Sequence, residues 1–308
     1  MKRALVTGGA GFIGRWVTKG LTDDGWAVTV LDDLSSGTSE NLRGLDVELV
    51  EGAIHDRSAV RRAFKDASLC LHLAARINVQ TSLDEPVATF ESDVVGTLYA
   101  LEAAREAGAP FLFMSSCMVY APAQTDAGIS EHDPVRPASP YAASKLSGEH
   151  LTISYGLGYG HPVTVVRPFN TYGPFQRADG EGGVVAIFCS RLLERRPIEV
   201  FGDGTQTRDL LFVEDCAEFV LRAAGSESAR GRLLNAGTGR DVTINELARV
   251  VAQDRVEIRH TRHPHPQAEI QRLLCDPTTA REVLGWQPTT TLEDGIAATT
   301  HWLEERAA

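Results

Sequence analysis

The stretch that most limits what this chain can become is TGGAGFIG, residues 7–14. It follows an apolar run, Ala4-Leu5-Val6, that reads as a short buried strand, and it leads into Phe12 to Leu21, whose spacing suits an amphipathic helix. Strand, glycine turn and helix in that order make a phosphate site. Gly8 permits the tight turn, Gly11 lets backbone approach a pyrophosphate, and Gly14 lets the helix pack closely on the strand. The helix start at Phe12 and Ile13 then turns unpaired N–H groups and a positive dipole end toward phosphate. A second strand, Val28-Thr29-Val30-Leu31, ends in Asp32, about twenty residues beyond the glycines, where an acid accepts hydrogen bonds from the adenosine ribose hydroxyls. With Asp33 beside it a 2′-phosphate would be repelled, so the expected cofactor is NAD rather than NADP.

At 308 residues, with 43% hydrophobic and 23% charged, the chain can bury a full core without disulfides or metals. A net charge of −11 with no basic tract to offset it argues against a nucleic-acid or anionic-membrane partner. An anionic ligand must then be met by local arginines. The five cysteines are scattered, odd in number and without CxxC spacing, which fits a reducing compartment and gives no zinc signature. The N-terminus starts directly in the first strand, and no apolar run approaches the roughly 18 residues that span a membrane. The expectation is a soluble cytoplasmic protein.

Strand signals near residues 3–7, 27–31, 47–51, 68–73, 110–115 and 162–167 alternate with helical ones near 12–24, 57–66, 86–107 and 140–157. This pattern implies an α/β fold, a Rossmann-type doubly wound parallel sheet with both faces covered. The second half mixes short strands (198–201, 233–236) with helices (181–194, 213–224, 243–253, 292–305). It reads as a smaller, partly interleaved C-terminal substrate lobe. The expected division is a nucleotide-binding domain over 1–168, with 212–238 returning to it, and a substrate lobe over 169–211 and 239–308.

After the glycine turn, six further stretches fall in a telling order: LDDLSSG at 31–37, HLAA at 72–75, SSCMVY at 115–120, SPYAASK at 139–145, RPFNTYGP at 167–174 and GDGTQTRDLLFVED at 202–215. In order and spacing the chain resembles the extended short-chain dehydrogenase/reductase family over nearly its whole length. Within that family it is similar to the nucleotide-sugar epimerase/dehydratase branch typified by UDP-galactose 4-epimerase. The resemblance implies further NAD contacts from Ser36, Ile54, Leu73, Ala74, Ala75 and Pro168. It also implies a homodimer through the 86–107 and 140–157 helices.

Tyr141 and Lys145 stand four apart, on one face of a helix that Ser139 can cap and Pro140 can open. A lysine ammonium near the phenol favours phenolate, and Tyr141 then serves as general base for a sugar hydroxyl. By resemblance Lys145 also reaches the nicotinamide ribose, and Ser116 hydrogen-bonds the reacting hydroxyl. The next two positions carry Asp-Glu in similar 4,6-dehydratases and a Glu at the second in similar decarboxylases, but here they are Cys117 and Met118. Elimination chemistry thus lacks its usual acid and base. Cys117 is expected either to pack or to act as a weak acid or nucleophile.

What remains is oxidation at the sugar C4 and return of hydride to the other face of the 4-keto sugar: NAD-dependent 4-epimerisation. The other readings are decarboxylase, 4,6-dehydratase or 4-keto-sugar reductase on the same scaffold, and, from a different class, a non-catalytic NAD-sensing protein. On the substrate side, a UDP- or dTDP-linked sugar, the resemblance implies Asn170 on a diphosphate or sugar oxygen, Arg208 on phosphate and Phe201 by the base. Val184 and Gln206 are secondary candidates. Three places depart from the family pattern: Ala53 where an Asp often reads adenine, leaving that contact to the Ile54 backbone; Ser92-Asp93 where Asn is common; and His265-Pro266-Gln267 in place of a phosphate-binding arginine motif, with His265, Arg262 or Arg272 as substitutes. Prolines interrupt the His260, His263 and His265 cluster and no Cys or Asp ligand is near, so no metal is expected.

Overall fold

The computed structural model describes residues 2–123, 127–178, 183–262 and 270–307. In its first half the chain runs β1 (Arg3–Thr7), α1 (Phe12–Asp23), β2 (Ala27–Asp32), β3 (Val47–Glu51), α2 (Arg57–Ala63), β4 (Leu69–His72), α3 (Val79–Asp84), α4 (Pro86–Phe90), α5 (Gly96–Ala107), β5 (Phe111–Met114), α6 (Pro140–Tyr159) and β6 (Val163–Pro168). The second half adds β7 (Asn170–Tyr172), α7 (Val184–Leu193), β8 (Ile198–Phe201), β9 (Thr207–Phe212), α8 (Val213–Gly225), β10 (Leu233–Ala236), β11 (Asp241–Thr243), α9 (Ile244–Ala252), β12 (Ile258–Thr261), β13 (Arg272–Leu273), α10 (Thr278–Leu284) and α11 (Leu292–Ala307).

Seven strands form one parallel sheet in the order β10-β6-β5-β4-β1-β2-β3. Alternate side chains of each strand face opposite layers. Val6, Leu71 and Leu112 pack with α1 and α8 residues such as Val17 and Phe219, whereas Leu5, Cys70 and Phe113 pack with Val60 of α2, Leu101 of α5 and Tyr155 of α6. This is the doubly wound arrangement, and it sets the C-terminal strand ends, where ligands bind in such sheets, along one rim. The second half also contributes to this layer system. Its β10 pairs with β6, Leu234 opposite Val166, and α8 packs on α1.

The remaining elements build a smaller lobe with its own core of Val185, Phe188, Leu210, Leu247 and Ile296. Its sheets are β11-β9-β13, with β7 also on β9, and β12-β8. Most of these strands are absent from the sequence pattern because they are two to four residues long, too short for a period of two to register. The expected helix 86–107 also differs. Between α4 and α5 the chain takes a π-helical turn, Glu91–Val95, which turns Asp93, 2% exposed, into the protein.

Candidate active site

The glycine turn sits where β1 meets α1. Gly8 has φ +72°, and a Cβ there would lie 2.8 Å from the Ala74 nitrogen; a Cβ on Gly14 would lie 2.0 Å from the Gly8 carbonyl oxygen. Gly11 caps α1 without a side-chain hydrogen bond, so the first-turn N–H groups of Phe12, Ile13 and Gly14 have no partner within the helix. Asp32 is 8% exposed; its Oδ2 accepts from the Ala10 N–H and its Oδ1 from the Leu34 N–H, both at 2.9 Å. Burial pushes this carboxyl up and the two backbone bonds oppose the rise. Each oxygen keeps a lone pair for a ribose hydroxyl.

The other nucleotide-side candidates differ in what they can offer. Asp33 and Ser36 are exposed, and Asp33 Oδ1 accepts from the Ser35 N–H and hydroxyl. Ile54 is buried, and its side chain fills the space beside Gly96, so its backbone is what it can present to an adenine. Leu73 donates its N–H to the Thr7 carbonyl and Ala74 to the Thr7 hydroxyl, with half-buried Ala75 next in line. Pro168 is buried at the end of β6 opposite Ala236. A cradle that a single Cβ would fill, unpaired helix N–H groups and an acid at the end of β2 fit NAD.

The catalytic candidates meet at the same rim. Ser139 Oγ accepts from the Ala142 N–H at 3.2 Å and Pro140 opens α6. This start fixes the helix phase that presents Tyr141, 8% exposed, to Ser116. Ser116 in turn caps the short helical turn Cys117–Val119, its Oγ accepting from the Met118 N–H. The phenol does not behave as the Tyr-x-x-x-Lys spacing suggests. Burial pushes it above the ordinary tyrosine range, the Ser116 hydrogen bond opposes the rise, and the Asp93 charge adds to it. Lys145 does not lower it, because its ammonium turns to the end of β5, where Nζ donates to the Met114 carbonyl at 2.9 Å and lies 5.3 Å from the Phe113 ring centroid.

Asp93 is the residue that sequence reasoning undervalued. The one signal was that Ser92-Asp93 stands where the resemblance implies an Asn. Its Oδ1 accepts from the Arg76 N–H and its Oδ2 from the Ser144 hydroxyl, both at 2.8 Å. A chain of hydrogen bonds joins it to the glycine turn. The Thr97 hydroxyl donates to the Asp93 carbonyl, so it accepts from His72 Nε2 at 2.9 Å; His72 Nδ1 then accepts from the Thr7 hydroxyl at 2.6 Å, which itself accepts from the Ala74 N–H. Burial, aided by the Lys145 charge, pushes His72 down to about 3. The ring is therefore neutral with its proton on Nε2, and the relay has a single direction.

Toward the smaller lobe, Cys117 is buried, its thiol pushed up to about 12 by burial with the Arg208 charge opposing. It packs in a cluster with Tyr120, Phe169 and Ile270. The Arg208 guanidinium donates to the Thr207 and Ile270 carbonyls at 2.7 and 2.8 Å. Its neighbour Asp209 is instead tied to Thr238, Gly239 and Cys275. Asn170 Oδ1 is buried with no hydrogen-bond partner among the described residues, as a group awaiting a ligand would be. Gln206 donates to the Phe201 carbonyl at 3.0 Å, leaving the Phe201 ring 46% exposed. Val184 opens α7, half-buried. Arg272 pairs with Asp241, and His260 with Asn245. His265 lies outside the described residues.

A family model described as "NAD dependent epimerase/dehydratase family" matches residues 4–237. The chain belongs to that family. As a member it is an enzyme whose cofactor is NAD. It is 40% identical to a UDP-glucose 4-epimerase of Mycolicibacterium smegmatis, over 99% of both chains. An X-ray structure of Pal from Bacillus thuringiensis matches with TM-score 0.95 and 49% identity over 99% of each chain. A UDP-glucose 4-epimerase from Thermotoga maritima, crystallised with UDP-glucose, matches with TM-score 0.94 and 33% identity over 99% of this chain and 100% of that one. Among the described residues no helix of this epimerase/dehydratase family member is long and apolar enough to cross a membrane.

Proposed function

We propose that this enzyme is an NAD-retaining 4-epimerase of a nucleotide-linked hexose or uronic acid, with UDP or dTDP as the nucleotide. The observation that carries the reading is the environment of Cys117 and Met118. Where elimination or decarboxylation would need a carboxylate, there is a thioether and a thiol that burial holds protonated. Hydride chemistry at one carbon needs neither. Bound NAD supplies the hydride acceptor and donor. The chain's own part is to accept the C4 hydroxyl proton on Tyr141, share it through Ser116, and hold the diphosphate on Arg208 and Asn170 while the 4-keto sugar turns over. Arg208 suits that task because a guanidinium fork meets two phosphate oxygens at once.

The proposal extends to the division at residues 168–169 with 212–238 on the nucleotide side, which the β6–β10 pairing supports. It extends to a cytoplasmic location, supported by five buried, unpaired cysteines. It also includes a homodimer. Val87 and Phe90, three residues apart on α4, are 69% and 54% exposed, and neighbouring exposed apolar side chains mark an interface; Leu157, 85% exposed, lies further along on α6.

The test is NMR of the purified enzyme with UDP- and dTDP-linked hexoses and uronic acids and no added cofactor. Inversion at C4 without loss of carbon or water is the expected result. Loss of carboxylate or water would overturn the reading and give Cys117 a chemical role.

A further inference from the structure

We propose that Asp93 is the counter-ion of Lys145 and a positioning residue for the catalytic helix, holding the buried ammonium in its charged form at the end of β5. The inference rests on the assignment of Tyr141 and Lys145 to the site, but not on which sugar they act upon.

The geometry begins with the π-helical turn Glu91–Val95, which turns the Asp93 side chain inward against α6. There its carboxylate is locked on both sides, by the Arg76 N–H and by the hydroxyl of Ser144, the residue next to Lys145. Lys145 is 3% exposed, and its one hydrogen bond to the Met114 carbonyl supplies a dipole, not a charge. A buried ammonium without an opposite charge gives up its proton.

Other charged or titratable groups of the described residues bear on this pair. From β4, His72 is neutral and bonded through Thr97 to the Asp93 backbone. From the segment after β4, the Arg76 guanidinium is turned away onto Glu85. From α6, burial pushes the Tyr141 phenol up, and Glu149 is already neutralised by Arg167. From the end of β5, the Cys117 thiol is protonated. Asp93 is left as the carboxylate that faces Lys145; burial pushes it up, and the Lys145 charge first, then the Arg76 and Ser144 hydrogen bonds, oppose the rise. In keeping with this, burial lowers Lys145 while Asp93 first, and Glu149 second, oppose it.

An amide at this position would keep the hydrogen bonds and lose the charge. The carboxylate thus has an electrostatic consequence: the Asp93 anion favours the Lys145 ammonium and disfavours the Tyr141 phenolate.

The chain has four lysines, at positions 2, 19, 65 and 145, so lysine labelled with 13C at Cε gives four signals to follow against pH in the full chain with NAD added. Lys145→Arg assigns the relevant one. In Asp93→Asn the Lys145 signal is expected to titrate at lower pH, the other three staying in place. On the same samples, the tyrosinate absorbance missing from Tyr141→Phe is expected to appear at lower pH. Ser144→Ala removes the hydrogen bond and keeps the charge, and should leave the Lys145 midpoint where it was. An unchanged Lys145 midpoint in Asp93→Asn overturns the proposal, as does an equal fall in Ser144→Ala. Asp93→Ser, smaller and neutral, carries the same expectation if the Asn variant does not fold. None of these readings needs a sugar substrate, so they stand apart from the epimerase test.

Discussion

Glu149, one turn beyond Lys145 on α6, receives Arg167 of β6 through two parallel hydrogen bonds, Nε to Oε1 at 2.7 Å and Nη2 to Oε2 at 2.5 Å. The two side chains are 1% and 4% exposed. Arg167 also lies 4.5 Å from the ring centroid of Tyr120, whose hydroxyl donates to Asn235 of β10. The pair therefore bolts the catalytic helix to the sheet. Removing one member leaves a buried charge unpaired, so Glu149→Gln or Arg167→Met should destabilise the chain by about 3–5 kcal/mol. The double variant Glu149→Leu with Arg167→Met should recover part of that loss, and chemical denaturation of the three variants checks both expectations.

Ser116 opposes the upward push on the Tyr141 phenol. A phenol acts as base only above its pKa, so removing that hydrogen bond moves the base-competent range to higher pH. In Ser116→Ala the acid limb of the kcat/KM profile should move to higher pH. A limb that stays in place would mean that another group limits the rate.

Tyr141→Phe removes the proposed base and leaves the nucleotide cradle alone. Turnover should fall by at least about a hundredfold while NAD remains with the purified protein, as measured by its release on denaturation.

Asp32 holds the Ala10 and Leu34 N–H groups as well as the expected ribose contact. Asp32→Ala strands two donors and removes an acceptor, at a cost of about 1–3 kcal/mol. Calorimetric titration with NAD should show a Kd raised about tenfold or more.

Leu157→Glu and Phe90→Glu place charge on the exposed apolar residues of α6 and α4. Sedimentation should find a dimer in the unsubstituted chain and monomers in these variants, with the far-ultraviolet circular dichroism unchanged.

Much of this molecule could be read before its structure was seen, for local reasons. The six strands of the first half are apolar runs bounded by turn residues, and Ser139-Pro140 announces the start of α6 in two letters. What escaped the pattern depends on distant partners. Nothing near Lys145 in sequence says that its ammonium will turn to the Met114 carbonyl, because β5 closes some thirty residues upstream. The π turn at Glu91–Val95 keeps a helical composition while shifting the phase by one residue, so periodicity reads straight through it. Asp93 was legible as a substitution and illegible as a charge, since its meaning lies in Ser144 and Lys145 across the fold. The short strands β7, β11 and β13 exist because β9 offers them an edge, not because their own residues demand extension.

The place of β10 at the margin of the main sheet has a consequence for how the protein is made. The glycine turn is translated well before β10, and the sheet that carries it stays open at β6 until Leu233–Ala236 leave the ribosome. Throughout that interval Val163–Pro168 offers a row of unpaired backbone groups on an apolar strand, the kind of edge that recruits other chains. A nascent chain stalled there, or a truncation at residue 168, ends in a sticky margin and not in a finished domain. Chaperone demand during synthesis should be set by the wait for this one short strand.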